Sequence, residues 1–359
     1  MTRLALVLAL AASCSYDTKF GDCQVTCGEQ SSCPDGFACG AGNLCRAAGA
    51  TTSCGAVLDA SPGDDAGSLD GSGSGSSGGA IPGIYITDFG DNAIAVYGTT
   101  ATGSVAPLRT ITGSATQLDA PIGIAIDPDG NIVVANDGHG DVLVFARDAD
   151  GNAAPIRVLA DPDLADPFSV AIAADGGVFV AAPGPKVFHF PPGATASDRS
   201  FSAPGSTGAL YLAIDAAGEV ILSSPSAVQT FLPGSTGAAA PLHTFTPATE
   251  TISEALAISP VLFAVTEATG QIDVFPPTAS GTGVAPASRL ALPSHAAGQE
   301  ALAIDTSGAT PTFYTSESQS PHVLIVPTHG SGDVLALGTT ASIDGSAGFE
   351  PAGIAVVPP

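Results

Sequence analysis

From residue 82 to the C-terminus, short apolar runs alternate with breaks rich in Gly, Pro, Asp and Asn, and the alternation repeats. The run Gly123-Ile124-Ala125-Ile126-Asp127 has counterparts at 169–173, 212–215, 256–259, 302–305 and 353–357. Their last positions, 127, 173, 215, 259, 305 and 357, are separated by 46, 42, 44, 46 and 52 residues. Short runs rich in Val, Ile and Phe, bounded by turn formers, predict strands. A unit of roughly 40–50 residues carrying four of them matches a propeller blade. In the second unit the three further strands are predicted at 131–135, 141–146 and 154–159.

The fourth strand has an echo of its own. Ala106-Pro107-Leu108-Arg109, Ala154-Pro155-Ile156-Arg157 and Ala240-Pro241-Leu242-His243 stand at matching places, with a looser copy at 285–289. Proline cannot donate to a ladder, so its recurrence predicts a sheet edge. Arg109, Arg157, Arg199 and Arg289 then read as charges that guard exposed edges against pairing, not as a basic ligand site. The apolar run at 83–87 matches the second strand of a unit, and the missing first strand stands at 352–357. The expected fold is all-β: a six-bladed β-propeller of four-stranded antiparallel blades, one blade being stitched from both termini. A solenoid would instead carry capping repeats at each end.

The stretch Pro128-Asp129-Gly130-Asn131-Ile132-Val133-Val134-Ala135-Asn136 and its neighbours resemble the NHL repeat. Residues 82–359 are also similar to six-bladed lactonase-like propellers, most clearly in the first two blades. For lactonase-like members the resemblance implies a divalent metal over the central channel, held by acidic and amide side chains from several blades. That ligand set has no residue-by-residue counterpart here. WD40 and kelch propellers lean on Trp, and this chain has none.

The N-terminus reads as an address. Arg3 precedes an apolar run at 4–10, too short for the roughly 20 residues a membrane span needs. A charged start, a short apolar run and the small residues Ala11-Ala12-Ser13 describe an export signal. They lead into Cys14 in an arrangement that resembles the bacterial lipobox, although Ala11 stands where Leu is preferred. The resemblance implies a lipid on Cys14, and Ser15 after it favours the outer membrane or cell surface over the inner membrane. The chain has seven cysteines, and setting Cys14 aside leaves Cys23, Cys27, Cys33, Cys39, Cys45 and Cys54. No Cys-x2-Cys pair of the zinc-ribbon type occurs among them, so a small disulfide-rich module is expected over a metal site. Its connectivity is one of about 15 possibilities. The predicted organisation is a signal peptide at 1–13, a lipid-anchored stem at 14–22, the cysteine module at 23–54, a flexible Gly/Ser/Asp linker at 55–81 and the propeller at 82–359.

Charge narrows the partners. Asp plus Glu number 34 against 9 Lys plus Arg, a formal net charge of -25. Nucleic acid and an anionic membrane surface are both disfavoured, which leaves the lipid as the expected membrane contact. No Gly-x-Ser-x-Gly elbow outside the Gly/Ser linker, His-Glu-x-x-His motif or phosphate-binding loop appears, so no catalytic residue is assigned. The recurring Asp-x-x-Gly pattern at 127–130, 215–218 and 305–308 reads as hairpin turns. The loop 136–141 offers oxygen ligands to Ca²⁺ or another divalent cation, without the register of an EF-hand, and an Asx-type turn accounts for the same residues. His189, between Phe188 and Phe190, reads as structural.

In an antiparallel blade, the loops joining strands two to three and four to the next blade share a face. Those loops hold Asp88, Asp91, Asp119, Asp137, Asp161, Asp163, Asp166 and seven further acids that include Glu267 and Glu317, with no Lys or Arg. Such a face steers cations, although an exported protein poor in lysine carries acid for solubility as well. Asp88, Asp137, His139, Glu267 and Glu317 mark the candidate binding face. The function expected is a non-enzymatic, lipid-anchored binding scaffold of the cell envelope, a monomer with a protein, saccharide or cationic partner. The alternative is a metal-dependent lactonase-like or other hydrolase, which rests on fold analogy.

Overall fold

In the computed structural model the chain divides into two compact units, residues 1–74 and 75–359. The structure describes residues 37–39 and 45–47 and, from 80 to 359, all except 207–210, 249–251, 259–260, 267–270, 277–278, 293–298, 318–320, 332–333, 338–339 and 347. In the first unit Phe37–Cys39 pairs antiparallel with Cys45–Ala47, and the register sets Cys39 opposite Cys45. Cys14, Cys23, Cys27, Cys33, Cys54, the export signal and the linker up to residue 79 lie outside the described residues.

The second unit is a propeller-like ring of six small antiparallel sheets. Five are laid down by consecutive stretches of chain. Blade 2 comprises Pro121–Ile126, Ile132–Asn136, Asp141–Phe145 and Arg157–Leu159. Blade 3 comprises Ser169–Ile172, Val178–Ala182, Lys186–Phe190 and Arg199–Ser202. Blade 4 follows as Tyr211–Ile214, Val220–Ser224, Ala227–Phe231 and His243–Pro247. Blade 5 is Ile252–Ile258, Val261–Thr266, Gln271–Phe275 and Ser288–Ala291. Blade 6 is Gln299–Asp305, Thr312–Glu317, His322–Ser331 and Ala341–Asp344, with Val334–Leu337 folded back on its long third strand. Blade 1 is the composite: the C-terminal Pro351–Val357 pairs with Gly83–Asp88, followed by Ala93–Tyr97 and Arg109–Ile111. Ile354 stands opposite Ile86 and Val357 opposite Gly83. The innermost strands touch their neighbours in cyclic order, blade 6 meeting blade 1, so the ring is closed.

The apolar pattern explains the burial. Second and third strands lie between a neighbour strand on each side and a neighbour blade on each face. Accordingly Ile132–Asn136 is buried at every position, as are Asp141–Phe145 and Val178–Ala182. First and fourth strands face the channel or the rim on one side, and their burial is partial. The third strands end on Phe145, Phe190, Phe231 and Phe275, all fully buried between blades. Each is worth about 1.5–3 kcal/mol of apolar burial.

The outer edge corrects an expectation. Five of the six outer strands are not free edges, because each of these takes a parallel partner from the loop between strands three and four of the next blade. Gly103 bridges to Ile343, Gly151 to Ile111, and Ala196 to Ala160. Phe201 pairs with Gly237 and Phe245 with Gly281 in the same parallel sense. The bonds come as reciprocal pairs: the Gly151 N–H donates to the Thr110 carbonyl, and the Gly151 carbonyl accepts from Thr112, both at 2.9 Å. Gly103, Gly151, Gly237 and Gly281 have φ of 68°, 57°, 61° and 90°, a left-handed backbone that a side chain would strain.

The arginines belong to the same joint. Arg109 Nη1 donates to the Ala149 carbonyl of blade 2 at 2.7 Å, and Arg199 Nη2 to the Pro233 carbonyl of blade 4 at 3.1 Å. Arg289 stays within its blade and grips the buried Asp273 with two bonds of 2.8 and 3.0 Å. Arg109 and Arg199 therefore fasten the rim in place of guarding an open edge. Arg109→Ala is expected to lower stability by about 1.5–2 kcal/mol, the scale of a charge-assisted bond to a half-buried acceptor. Urea denaturation of the whole chain reads this directly.

Candidate functional site

The hairpins after the first strands use the Asp-x-x-Gly pattern as turns. Asp127 Oδ1 accepts the Asp129 and Asn131 N–H groups at 3.0 and 2.8 Å, and Gly130 takes φ 86°. Asp215 repeats this with Ala217 and Glu219 at 2.9 and 2.8 Å. These carboxylates are committed to the backbone.

The opposite face carries the predicted acids, and they differ in what they are free to do. Asp88, only 4% exposed, accepts the Asp91 and Glu350 N–H groups on one oxygen at 3.2 and 3.1 Å. It thereby holds its own loop and the connection arriving from blade 6. Burial pushes its carboxyl above the usual range, against the pull of those bonds. Asn136 stands at the matching place in blade 2, accepting the Asp119 N–H at 2.7 Å and donating to the Gln117 carbonyl and Asp141. Asp161 takes the Ser197 hydroxyl across to blade 3. Asp163 pairs with Lys186 at 2.8 Å, and that bond lowers its carboxyl. Lys186 lies at the start of a third strand, just beyond the loops, which is why a count confined to loops passes over it.

Asp119, Asp137 and Asp166 converge instead. Burial first, then the charges of Asp166 and Asp119, raise the Asp137 carboxyl. His139 is exposed, with Nδ1 2.8 Å from Asp141 Oδ2. The loop 136–141 does not fit a cation site: Asn136 spends both ends of its amide within the fold, and Asp141 is taken by Asn136 and His139. Among the described residues no group of three or more His, Cys, Asp or Glu is arranged to hold a metal ion. Glu267 and the side chain of Glu317 lie outside the described residues, although Glu317 ends its second strand just as Asp88 does. His189 is buried in blade 3, 2.7 Å from Asp198 and in tilted ring contact with Phe179, in keeping with a structural role.

The central channel encloses about 280 Å³ and is lined by the first strands of blades 1, 2, 3, 4 and 6. The described lining is apolar apart from Ser169 and Tyr211, with no carboxylate, amide or imidazole. These residues do not fit the metal that the lactonase-like resemblance implies, and no chemistry is assigned to one.

A second cavity, of about 520 Å³, opens between blades 6 and 1 with Asp88, Asp91 and Asp344 among its walls. Tyr97 lines it too and is not among the residues the sequence analysis singles out. Burial, and then the Asp88 charge, raise its hydroxyl. The available signal is a column: Tyr97 occupies the place that Phe145, Phe190, Phe231 and Phe275 hold in blades 2 to 5.

No protein-family model matches the chain, and no curated protein matches it. Among solved structures, the chain is similar to selenomethionine-substituted virginiamycin B lyase from Staphylococcus aureus, with 12% identity and a TM-score of 0.50 over 71% of this chain and 80% of that one. A catalytically inactive variant of the same S. aureus lyase, solved with quinupristin, matches at 11% identity and TM-score 0.50 over the same shares. At such identities the likeness is one of architecture, and by that measure the chain folds as a β-propeller.

Proposed function

We propose that the protein is a lipid-anchored binding scaffold of the bacterial cell envelope, exported and tethered through Cys14, which presents the acidic loop face of its propeller to a cationic partner. The observation that carries this reading is the division of chemistry within the ring. Asp119, Asp137 and Asp166 gather on the loop face, where carboxylates close to one another attract cations. The described channel wall, where the rival metal-dependent hydrolase needs oxygen or nitrogen ligands, is apolar. The odd cysteine count and the small residues before Cys14 support the anchor.

Two measurements test it. An oligolysine peptide should bind the purified protein saturably at low salt, and Asp137→Asn with Asp166→Asn should weaken it about tenfold, with steep salt dependence. Equal binding by the double variant would remove the loop face from the proposal. Cys14→Ala should move the protein from the membrane fraction to the soluble one; retention on membranes would remove the anchor.

A further inference from the structure

The cavity between blades 6 and 1 exists because one face departs from the repeat. Strand pairing aligns Ala95 with Leu143, Phe188, Gln229, Asp273 and Leu324. In blades 2 and 3 that side chain packs with a leucine of the preceding connection, Leu143 with Leu118 and Phe188 with Leu164, in shared cores. In blade 4, Gln229 reaches the connection itself, donating to the Pro204 carbonyl at 3.1 Å and accepting the Ser206 hydroxyl at 2.8 Å. Blade 1 places only a methyl group there, with Ala93 beside it, and the space left open faces Phe349 of the connection from blade 6.

Two polar departures fall on the same face. Tyr97 is 4% exposed, stands where blades 2 to 5 have Phe, and its hydroxyl has no hydrogen-bond partner among the described residues. The hydroxyl gives the cavity wall a hydrogen-bonding group where phenylalanine serves elsewhere. Asp88 puts a carboxylate where blade 2 has the neutral Asn136, and Asp91 stands with it, while Asp344 is held by His322 at 3.0 Å and by the Ser342 hydroxyl at 2.7 Å; no Lys or Arg is among the described lining. The volume, about 520 Å³, lies within the roughly 300–1,000 Å³ of small-molecule pockets.

We propose that this cavity is a binding site for a small organic cation: an amine whose ammonium meets Asp88 and the Tyr97 hydroxyl while its compact apolar body fills the space over Ala93 and Ala95 against Phe349. It extends the loop-face reading at one member, Asp88, and stands on the cavity itself, so each idea is able to fail alone.

Phenethylammonium is a suitable probe, titrated calorimetrically into the full chain. One-to-one saturable binding is expected, at least tenfold weaker in Ala95→Leu, which fills the space with a side chain the fold already accepts at Leu143 and Leu324. Asp88→Asn should weaken it to a similar degree, and Asn136 shows that the fold accepts an amide at that position, where its oxygen takes the N–H of the incoming connection. The neutral analogue 2-phenylethanol should bind at least tenfold more weakly than the ammonium. Oligolysine binding should be unchanged in Ala95→Leu. An absence of saturable binding to the unaltered protein, undiminished binding in Ala95→Leu, or equal binding of the neutral analogue would each overturn the proposal.

Discussion

Deletion of residues 352–359 is expected to abolish the single cooperative unfolding transition of the propeller, and not merely to shift it. Those residues supply most of the first strand of blade 1, with Ile354 buried between Ile86 and its neighbours. Their removal exposes the edge of Gly83–Asp88 and deprives the inner strands of blades 2 and 6 of a shared neighbour. The buried Ile354 is worth about 1.5–3 kcal/mol, and the half-buried Val356 and Val357 add to it. Several such losses are comparable with the roughly 5–15 kcal/mol that holds a whole domain. The bared edge should also promote association between molecules. A truncated protein that melts with the same midpoint and sharpness as the full chain would sink the closed ring.

Gly353→Ala is expected to cost about 3 kcal/mol or more, the largest effect of any single methyl group in the ring. A Cβ at Gly353 would meet the Ile122 carbonyl oxygen at 2.1 Å and the Thr87 hydroxyl at 2.9 Å. Thr87 Oγ1 donates to that same carbonyl at 2.6 Å, so neither neighbour yields without breaking a buried bond. Overpacking of this kind costs about 1–3 kcal/mol in an ordinary core, and here the obstacle is backbone. Gly234→Ala is the control, because nothing lies within 4 Å of its added Cβ and its φ is not positive. Equal urea midpoints for the two variants would mean that blades 1 and 2 are not pressed together at this point.

Most of the ring is legible in the chain because a blade is written in apolar runs. Gly123-Ile124-Ala125-Ile126 announces an inner strand, and the shortfall at 83–87 with the surplus at 352–357 announces the seam. The rim was harder to read. Pro107, Pro155 and Pro241 do mark the outer strands, but they stand just before them. The next residue donates the first bond to the third strand, Leu108 to Val96, Ile156 to Val144 and Leu242 to Thr230. The parallel pairing beyond it is made by peptide groups, which leave no side-chain signature except the glycines that tolerate positive φ. The face was legible as charge but not as availability. An aspartate ending a strand looks the same whether it is solvated or, like Asp88, turned inward to hold two amides. The Tyr97 cavity was hidden for another reason: a missing side chain becomes visible only after third strands are aligned, and alanine in an apolar strand attracts no notice.

The clasp at the rim has a consequence for how such a wheel ages. Because one spoke grips the next through main-chain groups, its side chains are at liberty to change, provided a small residue sits at the crossing and the peptide there keeps its direction. Blade 3 shows the tolerance, with Ala196 serving where blades 1, 2, 4 and 5 use glycine. Individual spokes are thus able to lose their likeness to one another, hollow out a niche or gain a new polar group, while the rim that binds them stays intact.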